Sequence, residues 1–525
     1  MKLFLTVFQE MINEKVSDNK ISEETLRRMA AEYKRLSSSE QAKSIQILQD
    51  VLQDYDLIVY YMSLLLKMTQ DSKILFCLEK VLISDQYPLW DRMNDMSHMY
   101  AHLFLYPNLC EEKEEYRCIR NVYEHIVDEI QIKMKSVFSY IPYAVRKKCV
   151  IIVLRVLLSN RHAPTKLARY IYDYYSSIGY QAECFVCYFA AEDGCWVTRY
   201  VNNNFLDTTT FFNYKVNQTE IAGYNQVLHS ADYIDELKKA VGLIWSKKPE
   251  FVFEIGGYTI LPELCTGFTT VVSATCTKKL PATRAPLLVS FVAYSEEEQQ
   301  AHRQIIGNGQ RVLEVKCDIS EISFQEEEEL ITREQFGVSD QDFVVVIAGN
   351  RLDAEVDDSF MQIIYQIVQM DEHFIIAVIG ECSKLKQRMQ HERILYWGDQ
   401  SNFRSAVAIG DVFLNPPRQG GGTGALFAVL EEIPVITLDN CDVQINAGSD
   451  FVCAGTEEMP QLVYRYFSDR QFMEQQKINC RKRAQVLLHA DSSQELHIVC
   501  EAVKEYALQK EQNFFQGKSQ TEQNE

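Results

Sequence analysis

Between residues 415 and 424 the chain reads Asn415, Pro416, Pro417, Arg418, Gln419, then Gly420, Gly421, Gly422, Thr423 and Gly424. The apolar runs Val412–Leu414 and Val435–Leu438 flank this segment. Strand, glycine turn, a short apolar helix over about residues 424 to 432, and a second strand are therefore expected. Three glycines in a turn let a backbone approach a ligand closely, because no Cβ intervenes. A helix that starts there points free N–H groups and its positive dipole end at the turn, which favours a phosphate. Thr423 would stand at the helix start, where a hydroxyl can both cap and reach a phosphate oxygen.

Other residues with usable chemistry also follow apolar runs. Gly349, Asn350, Arg351 and Asp353 come after the run at 343–348. Arg351 and Arg418 can each grip a diphosphate with two N–H groups, or can simply pair with Asp353 or Glu355. His162, Thr165 and Lys166 follow the run at 149–154. His162 suits a general base toward an acceptor hydroxyl, since imidazole titrates near neutrality; capping a helix over 167–178, with Pro164 at its start, is the plainer reading. Lys166 and Thr165 can face donor phosphates or an acceptor. Gly256 and Gly257 form a turn after the run at 251–255, and Asp442 follows Val435–Leu438, where a carboxylate can hold sugar hydroxyls or cap a helix.

The elements that position these residues fall into blocks. Residues 1–145 predict an all-helical domain, with apolar side chains at three- and four-residue steps such as Leu26, Met29, Tyr33 and Leu36. Ser22 with Glu23 and Glu24, and Ser39 with Glu40, are expected helix starts; breaks are expected at 54–56 and at Pro107 and Asn108. No repeat period is evident, and packing or partner contact, with a protein or a membrane surface, is the expected role. From 146 to 333, strands at 149–154, 183–190, 251–255 and 269–274 alternate with helices at 167–178 and 233–245, the pattern of a parallel sheet covered on both faces. Residues 319–333, with four consecutive glutamates at 326–329, are the expected connection to a second such unit over 334–485. That unit should hold strands at 343–348, 374–379 and 394–396 and a helix at 357–370. A helix at 473–508 and a disordered polar tail at 509–525 complete the chain, so residues 486–525 stand apart.

Composition narrows the function classes. The chain has 525 residues and a net charge of −20, which argues against a nonspecific nucleic-acid binder. The first residues reach charge too early for a secretory signal, and the apolar runs at 57–66 and 149–154 are far shorter than the ~20 residues of a membrane span. Fifteen scattered cysteines then predict reduced core thiols and a cytoplasmic location. Cys184 and Cys187 form a Cys-x-x-Cys, but alternation along a strand would send them to opposite faces, so neither metal nor redox chemistry is expected of them.

Two α/β halves with a glycine turn late in the second resemble the GT-B glycosyltransferases. The resemblance covers about residues 146 to 505 and is carried by Gly349 to Asp353, Asn415 to Arg418, Gly420 to Thr423, Pro434 to Thr437, and Asp442 with Val443; His162 to Lys166 and Ile255 with Gly256 are similar to the N-terminal half of the same group. A helical domain ahead of such a core resembles, in architecture, the bacterial protein-glycosylating transferases related to O-GlcNAc transferase. The resemblance implies two Rossmann-like domains facing a cleft, preceded by an all-α domain. It implies a nucleotide-sugar co-substrate, UDP-linked by expectation, without a metal or other cofactor, and a protein or cell-surface glycan acceptor. Asn350, Arg351, Arg418, Gly420, Gly421, Gly422, Thr423, Gly424 and Asp442 would bind the donor, backbone near Tyr396 to Gly398 would meet the base, and His162 would be catalytic. Thr165, Lys166, Gly256 and Gly257 would line the acceptor side. Many retaining members carry two glutamates across the glycine turn; Gln419 and Phe427 stand in those places here, and Glu432 where a glycine is usual. Those departures leave a non-catalytic subunit of the same fold, assisting a partner transferase, as the alternative.

Overall fold

The computed structural model describes residues 1–107, 109–135, 138–157, 162–189, 195–197, 210–216, 219–316, 331–439, 441–488 and 495–522. Asn108, Arg161 and most of the expected connection at 319–333 lie outside them.

Seven helices open the chain: Lys2–Asp18, Glu23–Lys34, Ser38–Leu52, Tyr55–Thr69, Ser72–Leu82, Leu89–Leu105 and Glu112–Met134. Ser22, Asp54 and Asp71 cap their helices by accepting backbone N–H bonds. The expected start at Ser39 is corrected by two residues. Ser37 is the cap and forms a capping box with Glu40, because only a residue three before the glutamate can exchange both bonds.

The first α/β unit contains β1 (Lys147–Leu154), β2 (Gln181–Phe189), β3 (Thr210–Val216), β4 (Thr219–Leu228), β5 (Pro249–Ile255), β6 (Thr270–Ala274), β7 (Leu287–Ser290) and β8 (Arg311–Glu314). Its sheet order is β3-β4-β2-β1-β5-β6-β7-β8, parallel throughout except for β3 against β4. The second unit contains β9 (Phe343–Ala348), β10 (Phe374–Ile379), β11 (Ile394–Gly398), β12 (Val412–Leu414), β13 (Val435–Leu438) and β14 (Val452–Cys453), in the order β11-β10-β9-β12-β13-β14 and wholly parallel. Numbered within the unit, that order is the doubly wound 3-2-1-4-5-6 arrangement, which reverses direction between β9 and β12. The first sheet reverses in the same way between β1 and β5.

Two Rossmann-like units of this kind behind an all-α domain make the GT-B type of architecture. The helical domain and the first sheet share one continuous core, running from Phe4 and Leu65 through Val122 to Ile151 and Phe185. Helix Glu112–Met134 is stitched to the first unit along its length: Glu115 to Lys279, Arg120 to Gln310, the Tyr123 hydroxyl to the Thr259 carbonyl, and Asp128 to Arg284. Residues 195–197 reach back into the helical layer, where Trp196 is fully buried and meets His102 edge-on at 6.0 Å. Asp95 accepts the Cys195 and Trp196 amides at 2.8 and 3.0 Å.

The end of the chain departs from expectation. The single helix at 473–508 is two, Arg470–Leu488 and Glu495–Glu522, and the supposed disordered tail is helical as far as Glu522. Leu496, Val499 and Val503 of the last helix enter the core of the first unit, so the chain crosses back over both units before it ends. Apolar residues at helical spacing anchor its start. Cys184 and Cys187 fall in different cores on opposite faces of the first sheet, as alternation requires. Among the described residues no group of three His, Cys, Asp or Glu is placed to hold a metal ion, and no helix is long and apolar enough to cross a membrane.

Candidate functional site

The segments nominated from sequence gather at the two switch points. Gly349 to Arg351 follows β9 and the glycine turn follows β12, flanking the reversal in the second sheet; His162 follows β1 and Gly256 follows β5, flanking that in the first. Doubly wound sheets bind ligands in the crevice beyond these points. The two edges meet. The Lys278 amide, after β6, donates to Asp442 Oδ1 at 2.7 Å, while the Gly420 amide donates to Asp442 Oδ2 at 2.6 Å. Asp442 therefore ties the glycine turn to the first unit, and burial raises its pKa against the pull of those amides.

The turn is built as its sequence requires. Gly420 and Gly421 have φ of 79° and 81°, in the left-handed region that glycine enters freely. The helix then runs Gly422–Leu430, two residues earlier than expected, with Gly421 as its cap. Thr423 is the second residue of the helix, and its hydroxyl does not cap. The N–H groups of Gly422 and Thr423 have no intrahelical acceptor, while that of Gly424 donates to the Gly421 carbonyl at 3.1 Å.

Both arginines are held by the protein itself. Arg418 is buried and donates to Asn415 Oδ1 at 2.7 Å, Glu355 Oε2 at 2.9 Å and the Ala348 carbonyl at 2.9 Å. Arg351 donates to Glu355 Oε1 at 2.9 Å and the Gln419 carbonyl at 2.9 Å, and its guanidinium lies 4.7 Å from the centroid of Phe104. One buried carboxylate, Glu355, thus serves two guanidinium groups. Asp353 makes no pair with Arg351 and instead accepts the Lys384 and Leu385 amides. Asn350 is exposed in the turn after β9.

On the opposite edge His162 caps helix Ala163–Ser177 by position, and its Nδ1 lies 3.0 Å from the Thr165 hydroxyl. Burial pushes the imidazole down to about 4, so it is neutral at pH 7 and a weaker base than a free histidine. Lys166 is buried, and burial together with Arg169 pushes its ammonium down to about 8. It lies 5.8 Å from the ring centroid of Phe427, across the boundary between the units. Phe427 is fully buried and packs edge-on against Phe403. Gly256 and Gly257 take φ of 131° and 87°, and Gly256 borders a cavity of about 30 Å³ shared with Phe104, Lys279 and Gln419. Tyr396 to Gly398 lie at the end of β11, the opposite rim of the second sheet from β14, with the Trp397 ring centroid 4.2 Å from that of Phe336 and the planes tilted by 31°.

Glu355, expected as a plain ion-pair partner of the arginines, is the carboxylate they share, whereas Lys278 and Phe104 were missed as parts of this site. The four-residue spacing of Arg351 and Glu355 was a readable sign. Nothing local marks Phe104, which arrives from a different domain.

No protein-family model and no curated protein sequence matches the chain. Solved structures do resemble it. A mutant of the Thermobaculum terrenum O-GlcNAc transferase aligns over 97% of this chain and 99% of its own, with 11% identity and a TM-score of 0.47. Anabaena HepE in complex with UDP and glucose aligns over 68% of this chain and 99% of its own, with 13% identity and a TM-score of 0.45. The apo structure of OtsA aligns over 68% of this chain and 99% of its own, with 9% identity and a TM-score of 0.49. By its own sheet topology the fold is of the GT-B type, with a helical region ahead of it.

Proposed function

We propose that the protein is a GT-B glycosyltransferase that binds a nucleoside-diphosphate sugar, with UDP as the carrier, at the strand ends of the second unit. The acceptor, a protein or a glycan, approaches from the first unit. The observation that carries this reading is the meeting of both switch points around a glycine-turned helix start. In the reaction the bond from the sugar's anomeric carbon to the phosphate oxygen breaks, and one from that carbon to the acceptor forms. The acceptor loses its proton, and the nucleoside diphosphate leaves as an anion. The helix start at Gly422 and Thr423 meets that developing charge with fixed dipoles. Arg418 and Glu355 hold the turn in shape, and Arg351, on the rim with Asn350, is the guanidinium nearest to a bound diphosphate. His162, neutral and beside Thr165, takes the acceptor proton if the configuration inverts.

The test is thermal stability and calorimetric binding of the full chain against UDP-, GDP- and dTDP-sugars. A ligand at ~100 times its dissociation constant adds ~2.7 kcal/mol to the folded state, a readable rise in Tm. Silence across that panel refutes the donor site. The engagement of both arginines by Glu355 and the buried Phe427 favour one other reading, a subunit of this fold that assists a partner transferase. It requires no nucleotide-sugar binding and co-purification with a second transferase.

A further inference from the structure

Lys166 is an unusual cation. It is 5% exposed, yet among the described residues no carboxylate approaches its ammonium; the face of Phe427 and a second cation, Arg169, lie near it. A buried charge without a counter-charge is costly, and proteins rarely retain one without use. Its placement suggests the use. Helix Ala163–Ser177 projects it from the switch point of the first sheet onto Phe427, one helical turn beyond Thr423 on the glycine-turn helix. Arg351 and Arg418, by contrast, already share Glu355.

Resting on the glycosyltransferase reading, we infer that Lys166 is the cation that receives the donor's diphosphate, reaching it from the acceptor-side unit, and that Phe427 keeps it uncompensated for that purpose. An aromatic face holds an ammonium without neutralising it. A glutamate at position 427 would pair with Lys166 and cancel the charge. The aromatic residue on this helix thus moves part of anion recognition from the second unit to the first. It also makes closure of the two units a condition of tight diphosphate binding, since Lys166 and the glycine turn belong to different units.

The experiment is calorimetric titration of the full chain with UDP, inorganic pyrophosphate and uridine, for wild type, Lys166→Met, Lys166→Arg and Phe427→Glu, with Tm recorded for each. UDP and pyrophosphate should bind at least tenfold more weakly to Lys166→Met and Phe427→Glu, whereas Lys166→Arg retains most of the affinity and uridine is unaffected. Lys166→Met should also match or exceed the wild-type Tm, because it removes an uncompensated buried charge; a purely structural lysine would lower it. UDP binding undiminished in Lys166→Met overturns the inference and leaves the transferase reading intact. Pyrophosphate binding that depends on Lys166, without any nucleotide binding, sustains the inference and overturns that reading. A wild-type chain that binds neither overturns both.

Discussion

Glu355 should be the residue whose loss the second unit tolerates least. Its side chain is 4% exposed and its two oxygens are divided between Arg351 and Arg418, the latter 2% exposed. Replacing Glu355 with glutamine leaves one acceptor oxygen for two guanidinium groups and strands a buried positive charge. Removing one partner of a buried ion pair costs about 3–5 kcal/mol. Arg418 keeps its bonds to Asn415 and to the Ala348 carbonyl, which places Glu355→Gln at the lower end, about 3 kcal/mol. For a unit of this size that is a fall in Tm of about 6–12 °C. Scanning calorimetry measures it, and the emission of Trp397, the one tryptophan beyond residue 334, assigns the transition to the second unit. A second substitution sharpens the test. Arg418→Met in the Glu355→Gln background removes the stranded charge and should recover at least ~1.5 kcal/mol, a coupling of the size neighbours in one network show. A loss below ~1 kcal/mol for Glu355→Gln, or a double variant no more stable than the single one, would refute the shared-carboxylate account.

Three further outcomes follow from the same structure. Burial holds His102 down to about 3, below its unfolded value of 6.5. The unfolded chain therefore takes a proton that the folded chain refuses, and this residue subtracts stability as pH falls through 6.5. Its contribution is about 1.4 kcal/mol per pH unit between pH 6 and 4; His102→Phe should flatten the stability profile by that slope in urea titrations, and equal slopes would disprove it. Gly421→Ala should cost at least ~2 kcal/mol, since φ is 81° and a Cβ would lie 2.5 Å from Arg418 Nε, whereas Gly309→Ala, at φ 85° with open space, should cost only about 1 kcal/mol; comparable losses by thermal melting would contradict the close packing of the turn. Trp196→Ala should cost about 3–5 kcal/mol by thermal melting, since the side chain is fully buried in the helical layer; a loss below ~1 kcal/mol would mean that Trp196 does not anchor residues 195–197 there.

How far the fold was legible depended on burial. β9 and β10, Phe-Val-Val-Val-Ile-Ala and Phe-Ile-Ile-Ala-Val-Ile, are covered on both faces and read as unbroken apolar runs, so their limits came out to the residue. β4, Thr219–Leu228, mixes polar and apolar residues and was not recognised. β7 and β8 are four residues each, too short to show a period. The tail misled for another reason. Its lysines, glutamates and glutamines suit a disordered segment and an exposed helix face equally well, and only docking of Leu496, Val499 and Val503 on the first unit decides between them.

The site was legible as a set of turns and illegible as a set of bonds. Sheet topology brings residues after β1, β5, β9 and β12 to two facing edges, and glycines and cations after apolar runs mark those turns in the sequence. What each cation does there depends on partners far along the chain: Glu355 stands 63 residues from Arg418, and Phe104 comes from the helical domain. These contacts change the electrostatic reading. Arg351, Arg418 and Lys166 are three cations set against Glu355 and Asp442, so the junction keeps a positive excess inside a chain whose net charge is −20. Since Glu355 lies against both arginines and, among the described residues, no carboxylate lies against Lys166, that excess is concentrated at the lysine. Burial strengthens its field, because a low-dielectric wall screens a charge less than water does. Phe427, which by the resemblance alone looks like a lost glutamate, faces this charge without neutralising it, and on the proposed reading its consequence for donor binding has the opposite sign from the one its departure first suggests.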